Sequence, residues 1–218
     1  NGSHIISCTT GLNINVLSEL PAITYAPSVI IGTVAIVGNG ATLNGSNLSG
    51  SEVGFKVESN GCAISNFKII NFPSHGIHIT ARNVNITACR IGTDGTSTDD
   101  GNGGHGIYVE GAGTSVVGEP SSGNQISGNA GNGVHVLNST GVAVQGCVIG
   151  LNLTGTSAIP NEGDGLYFQN SDDGLVGGTE FGTRNYISGN TGSGIQLRGL
   201  DNAVIEGNYI GVDAAGTA

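Results

Sequence analysis

The chain has no methionine and no tryptophan, five prolines, and only six Lys plus Arg among its 218 residues. Each scarcity excludes something. Six cations against sixteen Asp plus Glu leave a formal charge of −10, which repels nucleic acid and anionic lipid, so neither is an expected partner. The longest apolar stretch, near Ser28 to Gly38, falls far short of the roughly eighteen residues that a membrane-spanning helix needs, so no membrane insertion is expected. No basic-then-apolar leader follows Asn1, and the missing methionine suggests a trimmed, excised or recombinant piece. Scarce proline without a three-residue glycine period removes collagen, and 37% hydrophobic residues remove a disordered linker.

What is abundant is glycine, 40 of 218 residues, or about 18% against a usual share of about 7%. A folded chain with so many tight turns points to short repeated strands rather than helices. The strands recur visibly. Gly76-Ile77-His78-Ile79, Gly106-Ile107-Tyr108-Val109, Gly133-Val134-His135-Val136, Gly165-Leu166-Tyr167-Phe168 and Gly194-Ile195-Gln196-Leu197 begin 30, 27, 32 and 29 residues apart. Gly54-Phe55-Lys56-Val57 precedes them by 22. Two further apolar runs sit between members, such as Val142-Ala143-Val144 and Cys147-Val148-Ile149, which makes three strands per repeat. Like segments in the same order bury their inward side chains by stacking on one another, and each repeat pairs its backbone with the next.

A second period overlies the first. Ile91-Gly92-Thr93-Asp94, Ile149-Gly150-Leu151-Asn152 and Ile210-Gly211-Val212-Asp213 lie 58 and 61 residues apart, and Asn124-Gln125-Ile126-Ser127-Gly128-Asn129 returns 61 residues later as Asn185-Tyr186-Ile187-Ser188-Gly189-Asn190. Coils therefore alternate in kind. One kind carries a long loop after its third strand, at 92–105 and 150–164. The other carries an insertion after its second strand, near Val117-Gly118-Glu119-Pro120 and Val176-Gly177-Gly178-Thr179.

From about Leu20 to Ala218 the chain resembles the right-handed parallel β-helix repeat proteins of the pectin-lyase-like superfamily, particularly large bacterial secreted surface proteins with recurrent Asn-x-Ile-Ser-Gly-Asn and Ile-Gly-Thr-Asp motifs. The resemblance implies an all-β fold, a single-stranded right-handed parallel β-helix with three short strands per coil and about seven to eight coils. Residues 1–50 are expected to form an N-terminal cap and the first coils, and 51–218 one continuous run of regular repeats, truncated at its C-terminal end.

Strand alternation sorts the first-strand residues into faces. Phe55/Val57, Ile77/Ile79, Ile107/Val109, Val134/Val136, Leu166/Phe168 and Ile195/Leu197 point inward. Outward run two columns: Lys56, His78, Tyr108, His135, Tyr167, Gln196, and then Glu58, Thr80, Glu110, Leu137, Gln169, Arg198. A third-strand inward column reads Phe67, Cys89, Asn124, Cys147, Asn185, Asn208, where stacked Asn side chains would form an internal amide ladder. Cys89 and Cys147 are then two coils apart, about 9.6 Å, beyond the roughly 7 Å reach of a disulfide, and are expected as free buried thiols. A Cys8–Cys62 pair is left open by the loose register of the first fifty residues.

The outward column is the sharpest candidate for function. Aromatic and imidazole faces stack on sugar rings, and a row repeating at every coil suits a linear polymer, so His78, Tyr108, Glu110, His135 and Tyr167 are the candidate carbohydrate-binding residues. In the polysaccharide enzymes that the chain resembles, the substrate cleft commonly lies over such a face. A lyase or epimerase would need a base for the C5 proton, a role for His135 or Tyr108, and a cation for the uronate, a role for Lys56 or Arg198. Asp99-Asp100 and Gly104-His105-Gly106 invite comparison with polygalacturonase hydrolases, but they share one loop where that family stacks them a coil apart, so hydrolysis is not expected. Asp94, Asp99, Asp100 and Asn102 form an oxygen-rich loop that could take Ca²⁺, as could Asn152, Asn161, Glu162 and Asp164, although neither matches a known calcium loop.

The leading expectation is a noncatalytic structural or adhesive segment of an extracellular or cell-surface protein, with fibre formation as an option. The alternative is a glycan-binding module or a polysaccharide lyase or epimerase acting on the outward first-strand face. No cofactor is required, with Ca²⁺ optional, and the expected partners are polysaccharide, other surface proteins, or further copies docked end to end.

Overall fold

A computed structural model describes residues 4–24, 34–95 and 100–217. Every regular element among them is a strand. The first strands, Phe55–Val57, Ile77–Ile79, Ile107–Glu110, Val134–Leu137, Leu166–Gln169 and Ile195–Arg198, form a six-stranded sheet in chain order, every pair parallel. Each neighbour is reached only after the chain has crossed the other faces, and such parallel crossovers are right-handed. The molecule is a right-handed parallel β-helix.

The second and third faces join into one 14-stranded sheet. The reason lies in two long strands, Val34–Asn44 and Cys62–Ile70, which pass through both faces without a break. They bend where Asn39 and Asn66 take left-handed φ of 50° and 60°. Later coils break at that corner instead, with Ala88, Gly118, Gly146, Gly177 and Gly207 left-handed there. Asn and Gly tolerate this region best, because a short amide can bond locally and glycine has no Cβ. Upstream, His4–Ser7 and Asn13–Asn15 pair in parallel with Val34–Asn44, so the coil pattern reaches back to His4.

The core is columnar. Ile64, Ile86, Val117, Val144 and Val176 stack inside the second face, and Ile69, Ile91, Ile126, Ile149 and Ile187 inside the third, all buried. Burying one such side chain stabilises by roughly 1.5–3 kcal/mol, repeated at every coil. In the final coil Leu197, Ile205 and Ile210 hold inward positions but are 40–46% exposed.

Two amide ladders run through this apolar interior. In the first, the Cys89 N–H donates to Asn124 Oδ1 at 2.9 Å, the Cys147 N–H to Asn185 Oδ1 at 2.8 Å, and Asn185 Nδ2 to Asn208 Oδ1 at 2.9 Å. The expected third-strand column is present, and Asn124 separates the two thiols. The second ladder comes from the long loops, where strand alternation gives no warning of it. Asn102 Nδ2 donates to Asn129 Oδ1, Asn129 Nδ2 to Asn161 Oδ1, and Asn161 Nδ2 to Asn190 Oδ1, all at 2.8–2.9 Å. Asn102 and Asn161 are therefore fully buried core amides, and their oxygens are spent on protein N–H groups rather than free for calcium.

All four cysteines are free. Cys62 pairs with Val34, whereas Cys8 follows Ser7, which pairs with Val37 on the opposite side of the same strand. Two strand spacings and a four-residue offset, roughly 9.6 Å and 13 Å, put those sulfurs beyond disulfide reach.

Candidate functional site

Alternation along the first strands turns every second side chain outward, and the in-register pairing stacks them: Lys56 beside His78, then Tyr108, His135, Tyr167 and Gln196. The rings touch in sequence. Centroids are 5.0 Å apart for His78–Tyr108, 5.3 Å for Tyr108–His135 and 4.8 Å for His135–Tyr167. These values follow the strand spacing, so the row is an imprint of the backbone.

A second, shorter row lies beside it. His75 and His105 each precede a strand-opening glycine, and their rings stack at 5.0 Å with planes 3° apart. His75 is 4.9 Å from Tyr108, and His105 is 4.7 Å from His135. Four of the chain's five histidines thus share one patch with two tyrosines. Neither His75 nor His105 is among the carbohydrate-binding candidates drawn from the sequence. The available signal was their equivalent place, one residue before Gly76 and Gly106, which puts them on one edge of the face.

Hydrogen bonds fix the protons in this patch. The His105 N–H donates to His75 Nδ1 at 2.9 Å, and the Asn132 N–H donates to His105 Nδ1 at 2.9 Å. A neutral His105 must therefore carry its proton on Nε2, which lies 3.0 Å from His135 Nδ1. His135 accepts there and carries its own proton on Nε2. That atom is buried and has no hydrogen-bond partner among the described residues. Gln169 biases the ring toward its charged form but does not reach Nε2 with hydrogen-bond geometry. On the other side of Tyr108, His78 Nε2 lies 3.2 Å from Glu110 Oε2, so a neutral His78 donates to the carboxylate and keeps its Nδ1 lone pair free.

Burial disfavours the charged forms of His75, His105 and His135. It pushes His75 down to about 4 and His105 down to about 3, and the neighbouring imidazoles, which would repel one another if protonated, add to the effect. Burial also lowers His135, partly offset by Gln169, Asp164 and Glu110. Tyr108 is raised, by burial first and then by the nearby Glu110 carboxylate, and stays a phenol.

The remaining sequence candidates fall elsewhere. Lys56 continues the row but pairs at 2.6 Å with Glu58, which raises its pKa. Arg198 ends the outer column after Glu110, Leu137 and Gln169, in the coil beyond Tyr167. Asp94 and Asp100 line a separate cleft of about 350 Å³ with Lys68, Asn13 and Asn44. Asp99 lies outside the described residues.

The fold and this face define a parallel β-helix with a ring-lined outer surface. No protein-family model and no curated protein matches the chain. Among solved structures it is similar to the A-module of the Azotobacter vinelandii mannuronan C-5 epimerase AlgE4, at 14% identity and a TM-score of 0.49 over 86% of this chain and 58% of that one. It is also similar to the periplasmic alginate epimerase AlgG, at 13% identity and a TM-score of 0.47 over 81% of this chain and 47% of that one. The chain thus spans about half the length of these structures, and no residue's role is carried over from them.

Proposed function

We propose that the first-sheet face binds a linear polysaccharide along the row His78–Tyr108–His135–Tyr167. The single observation that carries this reading is the unbroken contact of these outward rings, none of which the helix needs for its core. Amphipathic rings offer an apolar body and a polar edge, which suits a sugar. The imidazole of His135, which burial pushes toward its neutral form, sheds little hydration when a sugar covers it. A polymer of this kind is met at a cell surface or outside the cell.

A second reading, proton transfer on a uronate, is favoured by the division of labour around Tyr108. His78, with Nε2 held by Glu110, offers a basic Nδ1 that can take the C5 proton. The electron pair left behind moves into the sugar carboxyl group, where a cation or hydrogen-bond donor has to stabilise the growing oxyanion. The phenol of Tyr108 then supplies a proton, either to C5 from the other side, giving an epimer, or to the departing glycosidic oxygen, giving an unsaturated lyase product. His135 is not the base in this scheme, because its Nδ1 faces His105 and its proton sits on the buried Nε2.

Affinity electrophoresis against neutral and uronate polysaccharides tests binding, and absorbance near 235 nm with deuterium uptake at C5 tests turnover. The expected result is retardation that Tyr108→Ala and His135→Ala each weaken by about tenfold, the scale of about 1.4 kcal/mol. Binding without turnover leaves the platform and removes the chemistry. Binding and turnover unchanged in both variants would remove the whole assignment.

A further inference from the structure

On the opposite side of the coil, the insertions after the second strand build a cleft of about 880 Å³ lined by Ser121, Glu180, Phe181, Arg184 and Tyr186, with Gly146 and Gly207 in its walls. The β-helix does not require these insertions, since other coils turn the same corner with Ala88 or Gly146 alone. The second of them is closed by hydrogen bonds of its own. The Glu180 carbonyl accepts from both the N–H and the Oγ1 of Thr183, at 3.3 and 2.7 Å, closing a turn over Phe181 and Gly182. Gly182 sits at φ 83°, the left-handed third position of a type II turn. The Thr183 carbonyl in turn accepts from the Gly146 N–H at 2.9 Å, which ties the loop to the neighbouring coil.

This turn holds the Phe181 ring in water at 93% exposure, with both of its faces open to a ligand. Beside it, the Arg184 Nε–H donates to the Gly207 carbonyl at 2.7 Å, and the guanidinium lies 4.3 Å over the Tyr209 ring. Tyr209 is itself packed edge-on to Tyr186 at 5.3 Å. Arg184 therefore has a fixed plane, uses one of its five N–H donors, and has no carboxylate partner among the described residues. A pre-oriented guanidinium with free donors matches a carboxylate in bidentate fashion.

We infer that this cleft is a second ligand site, separate from the first-sheet face, that takes an acidic sugar unit: its carboxylate on Arg184, its apolar ring face on Phe181, and its hydroxyls on Glu180 and Ser121. None of these residues belongs to the first-sheet face, so the second site stands whether or not the first one binds glycan. The test uses a galacturonic acid trisaccharide as probe, titrated into ¹⁵N-labelled protein carrying Tyr108→Ala and His135→Ala, so that a loss at the first face cannot be mistaken for a loss here. The expected result is saturable shifts at the Arg184 Nε–H and at the amides of 181–184, weakened at least tenfold by Arg184→Gln, severalfold by Phe181→Ala, and by added salt. Both side chains are exposed, so unchanged thermal melting shows that these variants fold. The inference is overturned if Arg184→Gln binds as well as the parent, if a neutral trisaccharide of the same length binds equally, or if the 181–184 amides do not move.

Discussion

His105 Nε2 stands 3.0 Å from His135 Nδ1, and this one contact relays a backbone N–H into the ring row. The Asn132 N–H occupies His105 Nδ1, His105 must then donate through Nε2, and His135 is left with its proton on the buried Nε2. Long-range ¹H–¹⁵N spectra at neutral pH should show His75, His105 and His135 all protonated on Nε2 alone. His105→Ala should release His135 into a mixture of tautomers, visible in the same spectra. A proton on His135 Nδ1 in the parent protein would rule out the relay.

The same burial predicts a pH dependence of stability. In the unfolded chain His75 and His105 take up protons near 6.5, whereas in the fold they stay neutral down to about 4 and about 3. Between those limits the unfolded state binds more protons, so stability falls as pH drops from 6.5 toward 3 and is fully present above 6.5. The urea midpoint should decline from pH 7.5 to pH 4.5. His75→Asn with His105→Asn, whose amide oxygens can replace the Nδ1 acceptors, should show a smaller decline. Equal declines would assign the effect to other groups.

Asn129 should be among the most sensitive polar positions. Its side chain accepts from Asn102 and donates to Asn161 Oδ1 and the Ile91 carbonyl, and it is fully buried. Asn129→Ala strands those partners at a cost of roughly 1–3 kcal/mol in equilibrium unfolding. Asn129→Asp should cost more, because it removes the donor and buries a charge.

Thiol reactivity should divide the cysteines. Burial raises Cys89 to about 12 and Cys147 to about 11, and it also raises buried Cys62. Cys8 is only partly buried. A thiolate is the reactive species, so a disulfide reagent near pH 8 should label Cys8 in the native protein and the other three only after unfolding. Rapid native labelling of Cys89 or Cys147 would contradict the packing of the third-strand column.

The repeat was legible because side chains alternate in and out at a fixed period, so Ile77/Ile79 and His78 separate without any structure. The outward row followed from the same arithmetic. His75 and His105 did not, because they precede the strands and their direction depends on a corner that alternation does not govern. Asn102 and Asn161 were misread for a related reason. Inside long loops nothing in the local pattern tells an amide that turns into the core from one that faces water, and only the stacking of Asn129 and Asn190 between and beyond them decides it.

The strand-opening glycines follow from that ladder, and they predict the last outcome. Gly106 has no left-handed φ, so its need for glycine is spatial. A Cβ there would meet Ile126 Cγ2 at 2.5 Å, the Gly133 carbonyl at 2.7 Å and Asn129 Nδ2 at 2.9 Å. Two of these atoms belong to backbone or to a ladder amide that cannot move without breaking bonds of its own. Gly106→Ala should therefore cost roughly 1–3 kcal/mol as overpacking and displace the strand that carries Tyr108. Gly211 is the opposite case, with φ 75° and, among the described residues, no atom within 4 Å of the place a methyl group would take. Gly211→Ala should cost only the roughly 1–2 kcal/mol of a left-handed residue and leave glycan binding intact. Measured side by side, the two variants separate space from backbone angle: a loss of glycan affinity confined to Gly106→Ala shows that the inner amide ladder sets the position of the outer ring row.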